Sequence, residues 1–202
     1  MFFAQFKNEL VKLFGKKRTY IGFGAFILVQ LLMMFMFKYS HWQERTARML
    51  EGNGYIATEY ISALTVAVVM LLPQIALLMP LYATLVGGDL VAKEAEDGTL
   101  RMILSRPISR FRLLLVKWTA GVFFGVLLVL TLGASALVLA SIMFPWKGMF
   151  VFVPGEAFSV LSAGDGVFRF AFAHLFLAMN AGVRLSISFM FACWNMKPAA
   201  AP

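Results

Sequence analysis

The sequence predicts an all-α membrane protein, and three observations carry that prediction. Of the 202 residues, 61% are hydrophobic and 14% are charged, which leaves too few charges for the polar surface of a soluble domain. Four apolar runs each approach or exceed the roughly 20 residues that cross a bilayer as a helix. The basic residues flank these runs, as the positive-inside bias requires. The net charge of +8 therefore reflects membrane topology and does not predict binding to nucleic acid.

Residues 1–18 are the first predicted element, an amphipathic helix that lies in the membrane interface. Apolar side chains recur at helical three-and-four spacing: Phe2, Phe3, Phe6, Leu10, Leu13 and Phe14. We expect these side chains to enter the acyl boundary, while the lysines on the remaining arc face anionic headgroups. A plain basic flank of the first span is the alternative, because the pattern covers only about four to five turns.

The next predicted elements are a first span over residues 19–37 and a second over residues 61–86. Both runs are uncharged and long enough to cross the hydrocarbon core. Residues 38–60 between them predict a mixed-charge loop at the outer interface. Pro73 and Pro80 each remove a backbone donor from the second span, so we expect this helix to be kinked and its bent part to face other helices.

Residues 87–117 connect the second span to the third and carry dense charge between two uncharged runs. Acidic residues come first and basic residues follow: Asp89, Glu94, Glu96, Asp97, Arg101, Arg106, Arg110, Arg112 and Lys117. Each charge at the centre of a spanning helix costs about 2.5–3.5 kcal/mol, so we expect the whole loop to lie in water. The basic half next to a span indicates that this water is the cytoplasm.

The same loop predicts short helices with defined ends. We expect Asp89 to cap a first helix and Gly98 to end it. Thr99 is placed to cap a second helix, and Ser109 to cap the helix that leads into the third span. Two such helices would form a compact elbow beneath the membrane. A solvated linker whose charges only set the topology is the alternative.

A third span over residues 119–144 and a fourth over residues 168–194 complete the prediction. The stretch between them, residues 145–166, is unusually apolar, and we expect it to dip into the outer interface as a short amphipathic or re-entrant piece. Arg184 is the most costly residue in a span, so it should face the bundle or a water-filled cavity, or snorkel to the cytoplasmic surface. Asn180 lies one turn earlier on the same helix face.

The sequence contains few of the residue patterns that form an enzyme active site or a metal site. The single cysteine, Cys193, excludes an intramolecular disulfide and a multi-cysteine metal site. The Gly-Lys pair at Lys16 is followed by Lys17 rather than Ser or Thr, so the chain has no phosphate-binding loop. Nothing places His174 against a particular serine, which argues against an intramembrane hydrolase.

The charged loop and the N-terminal helix together resemble one known family. The residues that carry the resemblance are Gly88-Asp89, Glu94, Gly98-Thr99-Leu100-Arg101, Leu104-Ser105-Arg106-Pro107-Ile108-Ser109-Arg110 and Lys117, with Lys7-Asn8-Glu9-Leu10 before the first span. They are similar to the cytoplasmic loop and the lysine-rich opening of ATP-binding-cassette (ABC) type 2 permeases. The specific part of the resemblance covers about the first 120 residues.

The resemblance implies that residues 19–202 are the membrane permease domain of an ABC transporter in the lipid bilayer of a bacterial inner membrane. Such a subunit works with a second permease copy, identical or related, and with ABC ATPase subunits that bind ATP and magnesium; no cofactor is expected in this chain. The loop would be the coupling element, and these residues would contact the ATPase or shape the contact: Asp89, Glu94, Glu96, Asp97, Gly98, Thr99, Arg101 and Arg106. The candidates for the translocation path are Pro73, Pro80, Asn180 and Arg184.

The charge distribution predicts a cytoplasmic N-terminus, because twelve of the 18 basic residues then lie inside and five outside. Family members usually have six spans, so a chain that ends at Pro202 after four is expected to be C-terminally truncated or a four-span variant. Export is the expected direction of transport, and the identity of the substrate is left open. The alternative is a non-transporting scaffold or assembly factor, for example for copper-enzyme maturation, that binds a soluble partner through the same loop.

Overall fold

The computed structural model describes residues 2–96, 98, 109–153 and 157–194, and it is nearly all-α, as predicted. Within these described residues, four helices are long and apolar enough to cross a membrane: Lys17–Tyr39, Ala63–Glu94, Arg110–Met143 and Ala163–Trp194. The third of these begins well inside the predicted loop 87–117. Arg110, Arg112 and Lys117 belong to this helix, as expected of the helix that Ser109 is predicted to cap.

The helices are numbered in chain order: α1 Phe2–Gly15, α2 Lys17–Tyr39, α3 Trp42–Gly52, α4 Ala57–Tyr60, α5 Ala63–Pro73, α6 Met79–Asp89, α7 Ala92–Glu96, α8 Arg110–Met143 and α9 Ala163–Trp194. A π-helical segment, Gln74–Leu78, joins α5 to α6, and two strands, β1 Met149–Val153 and β2 Ala157–Leu161, precede α9. The chain divides into two compact units. Unit 1 contains Met1–Phe23, Leu77–Val129 and Leu177–Pro202, and unit 2 contains Gly24–Ala76 and Leu130–Phe176.

The second candidate span departs from a regular α-helix where its prolines predict it. Pro73 ends α5, Pro80 lies in the first turn of α6, and the π-helical segment lies between them. A proline removes an amide donor and displaces the carbonyl one turn back, so the helical ladder widens locally. The buried side chain of Gln74 donates from Nε2 to the carbonyl of Met70 at 3.0 Å, which satisfies one carbonyl close to this break.

Unit 1 has a core of large apolar side chains drawn from α1, α8, α9 and the residues that follow α6: Leu13, Leu90, Val91, Ala120, Phe124, Leu185 and Phe189. The apolar face of α1 packs on this core through Phe6, Leu10 and Phe14. These three side chains are partly buried, so protein covers part of the face that was expected to enter the acyl boundary. Phe3, which is 83% exposed, remains available to the acyl boundary.

Two glycines of α8 allow a close approach of α9 within unit 1. A Cβ added to Gly121 would lie 2.5 Å from Leu90 Cδ1 and 3.0 Å from Leu185 Cδ2, and one added to Gly125 would lie 3.9 Å from Ala181. Small residues at this spacing let helices pack closely. In this chain the pair serves packing inside the subunit.

Unit 2 contains a β-hairpin where the sequence predicted an interfacial piece. Strands β1 and β2 pair antiparallel, with Phe150 opposite Val160. The first turn of α5 holds the hairpin: Ser62 Oγ donates to the carbonyl of Gly148 at 2.6 Å, and the amide of Phe150 donates to Thr65 Oγ1 at 2.9 Å. The run Phe150-Val151-Phe152-Val153 consists of strong strand formers, and a strand pairs its backbone groups more fully than an irregular loop can.

Helix α3 also falls where the sequence predicted a loop. It carries one fully buried side chain, Leu50. The residues that follow it, Asn53 and Gly54, form a turn, and Gly54 has a positive φ of 82°, which glycine adopts without strain.

Candidate functional site

The last residues of the second candidate span and those just after it form a short elbow. Helix α6 ends at Asp89, and after a brief turn the five-residue α7 runs from Ala92 to Glu96. Gly98 then has a positive φ of 70°, as expected of a glycine that ends a helix. The predicted role of Asp89 as a helix cap is wrong, since it is the last residue of α6. The predicted cap at the start of α8 is confirmed, because the amide of Arg112 donates to Ser109 Oγ at 3.3 Å.

A buried lysine lies at the centre of the candidate site. Lys117 Nζ, on α8, is 2.8 Å from Glu9 Oε2 on α1 and 2.8 Å from Glu94 Oε2 on α7. Its side chain is 0% exposed, and those of the two glutamates are 10% and 16% exposed. The expectation that Lys117 lies in water is therefore wrong. An ammonium group removed from water in this way requires paired charges.

Lys12 completes a closed charge cluster. Its Nζ is 2.9 Å from Glu9 Oε1 and 3.2 Å from Glu94 Oε1. The four groups, Glu9, Lys12, Glu94 and Lys117, which we call the charge cluster, alternate in sign and sum to zero. They tie α1, α7 and α8 of unit 1 together. Because α7 has only five residues and little helical stability of its own, these contacts fix its position.

The electrostatics of the cluster follow from its geometry. Burial by itself raises the pKa of Glu9, but the hydrogen bonds and positive charges of Lys117 and Lys12 outweigh it, so the pKa lies below its ordinary value. Burial by itself lowers the pKa of Lys12, and Glu9 and Glu94 more than compensate, so that pKa is raised. Both shifts favour the charged forms, which keep the cluster intact at neutral pH.

A second ion pair holds the end of α6. Arg18 Nη1, on α2, is 3.1 Å from Asp89 Oδ2. Both side chains are substantially exposed, so this pair contributes less than the buried one. Beside it, Thr19 Oγ1 donates to the carbonyl of Leu13 at 2.6 Å, and Tyr82 Oη donates to the carbonyl of Thr19 at 3.2 Å. The beginning of α2 is therefore hydrogen-bonded to both α1 and α6.

The predicted coupling residues fall into three groups. Asp89 and Glu94 are paired within the chain, as described. Glu96 is exposed, and Gly98 is partly buried. Four others lie outside the described residues: Asp97, Thr99, Arg101 and Arg106. Contact of any of them with an ATPase stays a prediction.

The polar residues of the fourth candidate span form the pair that their spacing predicts. Arg184 Nε donates to Asn180 Oδ1 at 2.6 Å. Ala181 and Leu185, next to them on α9, are buried, whereas Asn180 is exposed and Arg184 is partly exposed. Among the described residues, no carboxylate pairs with Arg184. The pair therefore presents an uncompensated positive charge at the surface of unit 1.

The described part of the chain holds no group of three or more His, Cys, Asp or Glu side chains that could bind a metal ion. Its buried histidine, His174, packs against Gly133, and its Nδ1 lies 2.7 Å from the carbonyl of Phe170. This ring fills space between α8 and α9 in unit 2.

A family model described as "ABC-2 family transporter protein" matches residues 6–193. The chain belongs to the ABC-2 family. Over 72 residues it is 33% identical to YhcI, an uncharacterized protein of Bacillus subtilis strain 168, and the match covers 36% of this chain and 23% of YhcI. The chain thus spans about a quarter of the curated relative that it matches. No solved structure matches it.

Family membership and the four apolar helices make this a multi-pass membrane protein. The ABC-2 family consists of transmembrane permease subunits, which are distinct from the ATPase.

Sequence reasoning missed the partners of Lys117 in this ABC-2 chain, although a signal was present. Glu9 is the only acidic residue before Glu44, and it lies at helical spacing from Phe6 and Leu13, on the apolar face of α1. An acid at such a position predicts a buried cation partner. The partner's identity could not be read, because Lys117 is 108 residues away.

Proposed function

We propose that this chain is the permease subunit that couples ATP hydrolysis by a separate ABC ATPase to movement of a substrate across the bacterial inner membrane, with export as the direction. The ATPase would bind the ATP and magnesium, and a second permease copy would complete the membrane domain. The N-terminus is cytoplasmic in this proposal, so the charge cluster and α7 lie on the ATPase side.

The charge cluster is the observation that carries the proposal. A coupling element transmits a push only if it moves as one body with the helices that it drives. Glu94 fixes α7 through Lys117 to α8, the third candidate span, and through Lys12 to α1. Arg18 and Asp89 connect the end of α6 to α2. A force applied to α7 would therefore reach three candidate spans without passing through a flexible linker.

The glutamates of α7 have different roles in this proposal. Glu94 faces inward and holds the elbow, whereas Glu96 is exposed and is available for a salt bridge to the ATPase. Asp97, Thr99, Arg101 and Arg106 extend the contact surface along the chain. The division assigns partner recognition to the exposed acid and rigidity to the buried one.

Charge reversal at Glu96 tests this assignment. We expect Glu96→Lys to reduce co-purification of the ATPase while leaving membrane insertion and thermal stability unchanged, because an exposed side chain contributes little to stability. The matched control is Glu51→Lys, which reverses an exposed glutamate on α3, another short helix. Equal ATPase recovery from both variants would contradict the proposed contact.

Transport itself is tested in vesicles that contain the chain and its ATPase. ATP-dependent movement of a substrate supports the permease role, whereas ATPase binding without movement supports the scaffold or assembly factor. We place Asn180 and Arg184 in the translocation path, because an arginine that no acid in the described part of the chain neutralises is suited to an anionic substrate or to water. Arg184→Gln should then reduce transport and leave ATPase binding intact. Equal transport by Arg184→Gln and the wild type would remove this pair from the path.

A further inference from the structure

Unit 2 contains an apolar groove that coupling to an ATPase does not use. Its volume is about 440 Å³, and its walls come from α3, α5 and β1. Cavities that bind small molecules have volumes of about 300–1,000 Å³ and are lined mainly by apolar side chains with a few placed polar groups. The groove fits this description in size.

The walls of the groove are formed mainly by apolar side chains. Met49, Val69 and Phe152 represent the three elements that line it. The two threonines of the lining use their hydroxyls elsewhere: Thr46 Oγ1 donates to the carbonyl of Trp42 at 2.9 Å, and Thr65 Oγ1 donates to the carbonyl of Tyr60 at 2.6 Å. An apolar occupant therefore meets no unsatisfied hydroxyl in these walls.

One charged side chain belongs to the lining. Arg45 is exposed, and among the residues that the structure describes it makes no ion pair. Its neighbour one turn along α3, Arg48, lies 3.8 Å from Glu44 and does not line the groove. The groove thus combines an apolar interior with one guanidinium group that is free to bind an anion.

The groove follows the second candidate span from its first turn. Its α5 lining extends from Thr65 to Leu72, a helical rise of about 10 Å. That depth matches the boundary between headgroups and acyl chains, where amphipathic elements bury about 5–10 Å. Trp42, in the opposite wall, is a residue typical of the membrane interface.

We propose that this groove binds one acyl chain of an anionic phospholipid from the adjacent leaflet, with Arg45 pairing the headgroup phosphate. The acyl chain lies between α3 and α5, against Phe152 of the hairpin. Guanidinium matches phosphate in charge and in hydrogen-bond geometry. The site is separate from the charge cluster, and the proposal holds whether or not the chain couples to an ATPase.

Photo-crosslinking of the full chain in nanodiscs of phosphatidylethanolamine and phosphatidylglycerol tests the site. The probes are phosphatidylglycerol with a diazirine in one acyl chain and a phosphatidylcholine with the same acyl diazirine. We expect adducts to concentrate on peptides of α3, α5 and β1. Val69→Trp should fill the groove and remove most of these adducts, and Met49→Trp, on the opposite wall, provides a second filled variant if the first does not fold.

The arginine is tested by a matched pair of variants. Arg45→Gln should lower labelling by the phosphatidylglycerol probe about fivefold, the change expected for one basic residue at an anionic surface. Labelling by the phosphatidylcholine probe should fall less, because the choline ammonium already balances the charge of its phosphate, and Arg48→Gln should behave as the wild type. Adducts spread evenly over all the spans, or equal labelling of Arg45→Gln and Arg48→Gln, would overturn the proposal. Adducts displaced by a hydrophobic peptide but not by excess phosphatidylglycerol would also overturn it, in favour of a peptide site.

Discussion

Replacing Lys117 with methionine should be among the most destabilising single changes in unit 1. Methionine has similar length and no charge, so Glu9 and Glu94 would remain largely buried with only the partly exposed Lys12 between them. Removing one partner of a buried ion pair costs about 3–5 kcal/mol, because the remaining charge is uncompensated. Replacing all three groups in Glu9→Gln/Lys117→Met/Glu94→Gln should cost less than the single change, since no buried charge is then left unpaired.

The assay is thermal unfolding of the purified chain in detergent, followed by helical circular dichroism. For a chain of this length, about 3–5 kcal/mol corresponds to a decrease in Tm of roughly 6–20 °C. Lys7→Met, at an exposed lysine of α1, serves as the control and should leave Tm nearly unchanged. The reasoning is refuted if Lys117→Met unfolds at the temperature of Lys7→Met, or if the triple variant is less stable than Lys117→Met.

Three other predictions use the same unfolding assay. Because the pKa of Glu9 is lowered in the folded state, its ionised carboxylate stabilises the fold above its ordinary pKa, and this stabilisation is lost as the pH falls through the lowered value. Glu9→Gln should therefore make Tm less sensitive to acid. An unchanged dependence of Tm on pH would count against this. Gly87→Ala places a Cβ 2.7 Å from a backbone carbonyl of α9 and should cost about 1–3 kcal/mol of stability. Gly88→Ala, whose Cβ would lie 3.7 Å from its nearest neighbour, should be neutral or stabilising. A Gly88→Ala variant less stable than Gly87→Ala would contradict the packing. Gln30→Leu removes hydrogen bonds to Leu132 and Ser135 and should cost about 0.6–1.7 kcal/mol. Gln74→Leu removes one hydrogen bond, to the carbonyl of Met70, together with an Oε1 that has no partner in the described part of the chain, and should cost less. Equal costs would show that the number of hydrogen bonds made by these buried amides does not affect stability.

The fold class was predictable because the bilayer imposes a single length and polarity on its helices. Residues 19–37 are uncharged and apolar, so a spanning helix is nearly the only way to bury their backbone. The prolines at 73 and 80 likewise predicted the break in the second span, since a missing donor has a local effect. The spacing of Asn180 and Arg184 was sufficient to place them on one helix face, because residues four apart on a helix are neighbours, and the structure adds the hydrogen bond between them.

The candidate site was less predictable, because its contacts join distant parts of the chain. Lys117 was placed in water on the basis of its charge, and only the fold brings Glu9 and Glu94 to it. The hairpin was missed for a related reason, because an apolar run of four or five residues is compatible with a strand or an interfacial segment. The hydrogen bond from Phe150 to Thr65, which is distant in sequence, holds this run beside α5 as a strand. Helix α3 was missed because its mixed charges resemble those of a loop.

The long separation between Glu9 and Lys117 also bears on how the protein is made. Synthesis proceeds at about 5–20 residues per second, so the N-terminal helix emerges several seconds before Lys117, the buried cation that pairs with Glu9 from 108 residues further along the chain. During that interval α1 lacks the α8 surface on which it packs, so we expect it to dock only after the third apolar helix has entered the bilayer. The first helix of the chain would then be among the last to reach its final position, and an undocked α1 would identify a subunit whose membrane insertion is incomplete.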